Sequence, residues 1–140
     1  MLILGIVMKK ILVIAGFFIA LAACSDVEKV TLAGSEWKPV FQDIKDTGNA
    51  FVRFGDDGRV NGSSGCNLMQ GGFTLTKDQI TIGPLAMTRM ACLDGLGIVQ
   101  QRFVGALEKA TKASLEGLTL SLYDGDGRKI LELQKASSNE

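Results

Sequence analysis

The three cysteines are the residues of this sequence best able to do chemistry, and their positions predict two different roles. Cys24 follows an apolar run near the N-terminus, whereas Cys66 and Cys92 lie in loop-like sequence. In an oxidising compartment, Cys66 and Cys92 are each other's only candidates for a disulfide, because the N-terminal segment predicts lipidation of Cys24. The alternative is a reduced pair that senses redox state or binds a metal, but two cysteines without histidine make an incomplete zinc site.

The rest of the sequence carries no recognisable catalytic machinery. Its 140 residues include no histidine, which removes the commonest general base and the usual partner of a serine or cysteine nucleophile. Ser63 and Ser64 stand close to Cys66, yet no Ser-x-x-Lys pattern accompanies them. The run 124–127, Asp-Gly-Asp-Gly, resembles the start of a calcium loop, but its twelfth position is Lys135 instead of glutamate. We therefore predict no catalytic residue, no cofactor and no metal site.

The N-terminal segment predicts export and lipidation. Two lysines at 9 and 10 precede an uncharged run over residues 11–21, which is shorter than the roughly twenty residues that span a bilayer. The tetrapeptide Leu21-Ala22-Ala23-Cys24 then resembles the bacterial lipobox. That resemblance implies that Cys24 is acylated and becomes the mature N-terminus. The alternative is an ordinary signal peptide or membrane anchor that happens to end in cysteine.

The same segment predicts where the mature protein resides. Residues 1–7 are apolar and stand where a signal peptide carries its charge, so Met8 is the predicted true start. Two or three acyl chains hold a protein firmly in a bilayer. In lipoprotein sorting, aspartate directly after the acylated cysteine favours the inner membrane, and here that position is Ser25. We therefore expect a lipid anchor on the periplasmic face of the outer membrane, with the inner membrane as the alternative.

Alternating apolar and polar residues predict the fold of the mature chain. One amphipathic helix is expected from Gly97 to Lys112, because its apolar residues recur on a single face. Short strands separated by glycine-rich and aspartate-rich turns are expected at 50–54, 59–62, 71–76, 79–82, 118–122 and 129–133. Burying these one-sided elements together gives an α+β domain, in which a curved, mostly antiparallel, barrel-like sheet packs around a single amphipathic helix.

Three large apolar side chains are predicted core anchors. Trp37, the lone tryptophan, fits a core or edge position better than a ligand platform, because large aromatic residues dominate small cores. Phe103 and Leu107 lie four residues apart on the helical stripe and are expected to be buried against the sheet. The chain is thus predicted to divide into a signal peptide, a tether, a folded domain and a polar tail at residues 1–23, 24–31, 32–135 and 136–140.

Two separated motifs, in this order, resemble the META domain of the HslJ-like heat-shock lipoproteins. The first is Gly62-Ser63-Ser64-Gly65-Cys66-Asn67, and the second is Met87-Thr88-Arg89-Met90-Ala91-Cys92. Gly34 with Trp37, the helix and the final Leu-x-Leu hairpin extend the likeness over the mature chain. The resemblance implies an envelope protein tied to heat or drug stress, a sheet wrapped on one helix, and no established enzymatic activity.

The resemblance supplies signature residues and no catalytic ones. Gly62, Gly65, Asn67, Thr88 and Arg89 match its motif positions. We interpret Asn67, Thr88 and Arg89 as holding the disulfide-bearing turns in place. A partner-binding patch is the alternative for the same residues.

Three classes of function compete for this sequence. The first is a non-catalytic, membrane-anchored lipoprotein that supports the envelope under stress through a protein partner; basic and acidic residues balance at 15 each, which argues against nucleic acid. The second is a carrier of an apolar or lipid ligand inside a cracked barrel, where Phe51, Met69 and Met87 are spare apolar residues. The family has also been compared with pilotins, which help secretin channels assemble. The third class, an enzyme, lacks the histidine that most often activates a nucleophile.

Overall fold

A computed structural model describes residues 29–137 of this protein. The predicted signal peptide, the predicted start at Met8 and the predicted lipidation site Cys24 lie outside the described residues. The described elements are β1 Ser35–Val40, β2 Phe51–Phe54, β3 Arg59–Ser63, β4 Leu68–Thr76, β5 Gln79–Ile82, β6 Ala86–Met87, α1 Leu96–Lys109, β7 Lys112–Glu116, β8 Thr119–Tyr123 and β9 Lys129–Lys135. Within this range no helix has the length and apolar character needed to cross a membrane.

The strands form one antiparallel sheet that closes on itself. Its order is β3-β2-β1-β9-β8-β7-β5-β4, and β3 also pairs with β4, so these eight strands form a ring. β4 joins the two ends because it is long: its first half, 68–72, pairs with β3, and its second half, 73–76, pairs with β5. One helix packs against the sheet. The predicted α+β fold with a curved antiparallel sheet around a single helix is therefore confirmed.

β6 is a displaced continuation of β5 along the same edge of β4. Phe73 pairs with Ile82 and Met69 pairs with Met87, so the β5–β6 side advances five residues while β4 advances four. The extra residue is a bulge between the two short strands. On the side away from β4, β7 pairs with the start of β5, and the carboxylate of Glu108 on α1 accepts the amide of Leu85 at 2.8 Å.

The predicted anchors lie in a single hydrophobic core. Trp37, Phe103 and Leu107 are all at most 1 % exposed and belong to one cluster of buried side chains contributed by the sheet and the helix. The indole Nε1 of Trp37 donates to the Ser35 hydroxyl at 2.6 Å, so the polar atom of this buried ring is satisfied. These packed side chains occupy the interior that a carrier with a site inside the ring would need to keep open.

The helix prediction was wrong at its C-terminal end. The helix was expected to reach Lys112, but it ends at Lys109, because Ala110 has an extended backbone with φ −63° and ψ 132°. Lys112 instead begins β7, a strand the sequence did not predict. Its pairing with β8 and with the start of β5 outweighs the helical pattern of the preceding residues, as tertiary contacts often do. β1 and the two-residue β6 were also not predicted.

Candidate functional site

The two signature motifs meet beside the ends of β3 and β4. A disulfide joins Cys66 and Cys92, whose Cα atoms lie 5.5 Å apart. It ties the turn between β3 and β4 to the segment that runs from β6 to α1. The two cysteines that the sequence analysis paired are therefore linked across 26 positions of the chain.

Two serine hydroxyls build the turn between β3 and β4. The Ser63 hydroxyl accepts the amide of Gly65 at 3.1 Å. The Ser64 hydroxyl accepts the amide of Asn67 at 2.9 Å and donates to Oε1 of Gln100 at 2.8 Å. Both serines are buried. Their hydroxyls are thus committed to the turn and are not exposed as nucleophiles.

Glycine is required at two positions of the first motif because another backbone approaches closely. A Cβ on Gly62 would lie 2.1 Å from the carbonyl oxygen of Phe51 on the neighbouring strand. A Cβ on Gly65 would lie 2.7 Å from the carbonyl oxygen of Thr47, and the φ of Gly65 is +98°. These signature glycines therefore seat the turn against its neighbours.

Asn67 is the central side chain of the site. It is 2 % exposed, and its Oδ1 accepts the hydroxyl of Thr88 at 3.0 Å and the amide of Met90 at 2.6 Å. Its Nδ2 donates to the carbonyl of Met90 at 3.2 Å and to Oε1 of Gln100 at 2.8 Å. The buried side-chain amide of Asn67 thus binds both the main-chain amide and the main-chain carbonyl of Met90. These bonds fix the second motif relative to the first.

Thr88 adds two hydrogen bonds to Leu68, the first residue of β4. Its hydroxyl accepts the amide of Leu68 at 3.0 Å, and its own amide donates to the carbonyl of Leu68 at 3.1 Å. The Thr88 hydroxyl thereby accepts the amide that a main-chain carbonyl would accept in a regular antiparallel pair. Among the described residues, no buried side-chain nitrogen or oxygen lacks a hydrogen-bond partner. The polar network of the two motifs is therefore complete without a ligand.

Arg89 departs from the interpretation that the signature residues hold the turns. It is exposed, and it takes part in none of the hydrogen bonds or ion pairs formed within residues 29–137. Its neighbours Thr88 and Met90 are turned toward the network, which leaves Arg89 at the mouth of an open cleft. Asn67 and Thr88 hold the turns; Arg89 belongs to the surface.

Five of the seven large apolar side chains exposed within residues 29–137 lie within six positions of Cys66 or Cys92 in the sequence. We call Leu68, Met87, Met90, Leu93 and Ile98 the apolar rim. Four of them are more than half exposed, at 61 % for Leu68, 60 % for Met90, 71 % for Leu93 and 59 % for Ile98. Scattered exposed apolar residues need no explanation, but a group of them around one feature marks a candidate interaction surface.

Open clefts lie on either side of β6. One has a volume of about 720 Å³ and is lined by residues 85–91 together with Asn67 and Gln100. The other has a volume of about 510 Å³, and its lining includes Phe51, Met69 and Met87. The three residues considered as the lining of a ligand gap thus do lie together, but at the surface beside β6.

Asp124, which begins the aspartate-glycine run, stabilises the turn between β8 and β9. The Asp124 carboxylate accepts the amides of Arg128 and Asp126 at 3.0 Å each, and the guanidinium of Arg128 at 3.1 Å. These bonds, led by the amide of Arg128, hold the pKa of Asp124 below its ordinary 3.8. No group of three or more potential metal ligands occurs within residues 29–137.

Comparisons with known proteins agree with this fold. A protein-family model of the META domain matches residues 30–137. An NMR structure of a protein from Burkholderia xenovorans is similar with a TM-score of 0.62 at 20 % identity, over 76 % of this chain and 84 % of that one. A crystal structure of a DUF4847 family protein from Bacteroides vulgatus has a TM-score of 0.58 at 12 % identity, over 77 % of this chain and 96 % of that one.

A second NMR structure has a TM-score of 0.56 at 23 % identity, over 75 % of this chain and 94 % of that one. Identities this low support the fold alone. None of these matches is to a known enzyme family. No curated protein sequence matches the chain.

Proposed function

This chain belongs to the META domain family, and we propose that it is a non-catalytic, lipid-anchored envelope protein that binds a protein partner through its apolar rim. By this binding it supports the cell envelope under heat or drug stress. The observation that carries the proposal is the apolar rim itself, whose side chains stay exposed while the backbone beneath them is held by a disulfide and by buried Asn67. Fixed apolar groups of this kind cut the ordering cost of binding.

The position of the rim relative to the tether supports a partner that lies away from the proposed anchor. Ser35 begins β1 opposite Phe54, the last residue of β2. Leu68 of the rim pairs with Ser63, which in turn pairs with Phe51, the first residue of β2. The chain before β1 therefore joins the domain near the end of β2 remote from Leu68 of the rim, and this separation supports a partner that does not compete with the proposed anchor.

The anchor is tested first. We expect radioactive palmitate to label the exported protein and to be lost in Cys24→Ser, which should accumulate as an unacylated precursor. Deleting codons 1–7 should leave the mature product unchanged, since Met8 is the proposed start. The wild-type protein should fractionate with the outer membrane. Palmitate that persists in Cys24→Ser would remove the anchor from the proposal.

The partner surface is tested by survival of cells under heat or drug stress. In a strain that lacks the wild-type gene, the variant Met90→Ser/Leu93→Ser should fail to restore survival, because it removes two exposed apolar groups from the rim. Leu118→Ser is the matched control, since Leu118 is 64 % exposed but lies outside the rim. Equal rescue by both variants at equal protein levels would contradict a partner on the rim.

A carrier of an apolar ligand is the second candidate, and the cleft of about 510 Å³ lined by Phe51, Met69 and Met87 favours it. A fluorescent fatty acid such as dansyl-undecanoic acid tests this candidate directly. Saturable one-to-one binding that is lost in Phe51→Ser would support a carrier. Absence of saturable binding to the wild-type protein would exclude it.

A further inference from the structure

β6 lies outside the eight-strand ring and, within residues 29–137, has one unpaired edge. Each of the eight ring strands has a neighbouring strand on both sides, whereas β6 has only β4 among the described strands. Proteins usually shield such edges, because unpaired amides and carbonyls pair readily with another chain. Here α1 shields the start of this edge, where Glu108 takes the amide of Leu85. Beyond Leu85, Gln100 of the same helix lines the open cleft beside residues 85–91, so the helix borders this edge on the far side of the cleft.

The backbone beyond Leu85 alternates between two sides. Thr88 and Met90 turn their amides inward, toward the carbonyl of Leu68 and the side chain of Asn67. In an extended chain alternate residues face opposite edges, so Met87 and Arg89 direct their amides and carbonyls away from β4. No hydrogen bond formed within residues 29–137 uses these groups. Two neighbouring edge positions are therefore open.

The surroundings of this edge fit an extended chain. The cleft of about 720 Å³ runs along residues 85–91 and is open to solvent. Met90, 60 % exposed, lines it, and Leu93, 71 % exposed, follows three residues further along the chain. The disulfide and Asn67 hold the segment in place, so an incoming strand would not have to order it first.

We infer that the edge at Met87–Arg89 binds an extended segment of a partner polypeptide by strand addition. The incoming strand exchanges main-chain hydrogen bonds with Met87 and Arg89, and its apolar side chains, two residues apart, pack on Met90 and Leu93. This inference rests on the proposed function in taking the partner to be a protein, and it adds the binding mode and the chemistry of the bound segment.

A partner segment fits this edge better than a second copy of the chain. Two copies paired through the same edge would each offer only two open positions. They would also bring two Arg89 side chains, neither with an ion-pair partner among the described residues, into one short interface, where like charges repel. An uncharged apolar segment meets no such repulsion.

The test uses the exported full-length protein in detergent and a fluorescein-labelled peptide of about six residues that alternates valine and threonine, a typical strand length. Fluorescence anisotropy measures binding, with detergent alone as the blank. Two matched peptides carry N-methyl groups on alternate residues, one set on each edge of the strand. Strand addition predicts that one methylated peptide binds like the parent and the other loses about tenfold or more, because main-chain bonds on a single edge are removed. Equal binding by all three peptides, or none by any, would overturn the inference.

Variants of the protein give an independent arm. Met87→Pro removes the outward amide, and we expect about tenfold weaker peptide binding relative to Met87→Leu, which keeps it. Leu118→Ser should bind as the wild type does. A dimer in sedimentation velocity that forms without peptide and is lost in Met87→Pro would overturn the inference in favour of self-pairing. If rim variants fail to protect cells but no peptide binds, strand addition fails while the proposed function stands.

Discussion

The two turns that flank β3 are close in sequence but are stabilised in opposite ways. The side-chain bond in the turn before β3 is local: the exposed carboxylate of Asp57 accepts the amide of Arg59 at 3.1 Å. Its one long-range bond within residues 29–137 joins the amide of Phe73 to the carbonyl of Gly58 at 2.9 Å. The turn after β3 is held from a distance, by a disulfide across 26 positions and by Asn67, whose partners Thr88 and Gln100 lie 21 and 33 residues away.

This difference indicates what each turn is for. A local turn only has to reverse the chain, and its bonds form wherever its own few residues fold. The turn after β3 fixes a second, irregular segment whose outer side chains are apolar and exposed. Burying a polar network is costly unless every member is bonded, and here every member is bonded, so the network specifies one position for that segment.

The largest expected effect comes from removing the disulfide. Replacing both Cys66 and Cys92 by serine should lower the free energy of unfolding by about 3.5 kcal/mol, because the bridge closes a loop of about 27 residues in the unfolded chain. Denaturant unfolding with and without reductant measures this. The bridge itself is checked by mass spectrometry of exported protein alkylated before reduction. Recovery of two separately alkylated peptides would contradict it.

Paired alanine substitutions test the comparison of the two turns. Asn67→Ala should cost roughly 2–3 kcal/mol, because it leaves the main-chain amide and carbonyl of Met90 without side-chain partners and removes one of the two hydrogen bonds to the Gln100 oxygen. Asp57→Ala should cost less than about 1 kcal/mol, because water replaces the lost bond to an exposed turn. Unfolding midpoints give both values. Equal costs would mean that the long-range network adds nothing over a local turn.

Alanine substitutions at two glycines distinguish the cost of a close backbone contact from the cost of a positive φ. Gly65 and Gly58 both have positive φ, at +98° and +77°. A Cβ on Gly58 would meet its nearest atom at 3.7 Å, whereas one on Gly65 would lie 2.7 Å from the carbonyl of Thr47. Both alanine variants should carry the conformational cost of about 1–2 kcal/mol, and Gly65→Ala should lose more. Identical midpoints would show that the neighbouring loop yields freely.

The smallest effect is a pH dependence in another local turn. The pKa of Asp124 is lowered in the folded protein, so its ionised form favours folding above its ordinary pKa of 3.8. That contribution disappears as the pH falls through the lower folded value. Asp124→Asn should therefore lose a little stability at neutral pH and show a shallower decline below about pH 4. Unfolding curves of both proteins across that range test this. If the stabilities of the wild type and Asp124→Asn decline in parallel, the ionisation of Asp124 is not linked to folding.

How much the sequence could reveal depended on whether a pattern was local. β5, β8 and β9 were predictable because one face is buried and apolar residues alternate along it. β7 was not, since Ala113 and Leu115 give a weak alternation directly after a helix, and only its five register pairs with β8 and one with β5 establish the strand. β1 contains Pro39, which obscures a strand pattern.

The site shows the same limit. The glycines and the cysteine pair could be identified from residue type, and Asn67 from the family motif. Gln100 was missed, because it lies outside both motifs and only the folded chain brings Ser64 and Asn67 to its oxygen. Its position one turn into the helix that follows Cys92 was the only available hint.

The pairing of β1 with β9 has a consequence for the timing of folding. Trp37 lies opposite Lys135, so β1 cannot complete its pairing until β9, the last strand of the chain, has been made. Until β9 emerges, β1 has a partner on one side only, and the core around Trp37 stays open. Domains dominated by such distant pairings reach the native state in roughly milliseconds to seconds. A chain threaded through a narrow export channel from its N-terminus would thus remain unfolded, and therefore transportable, until nearly all of it has passed.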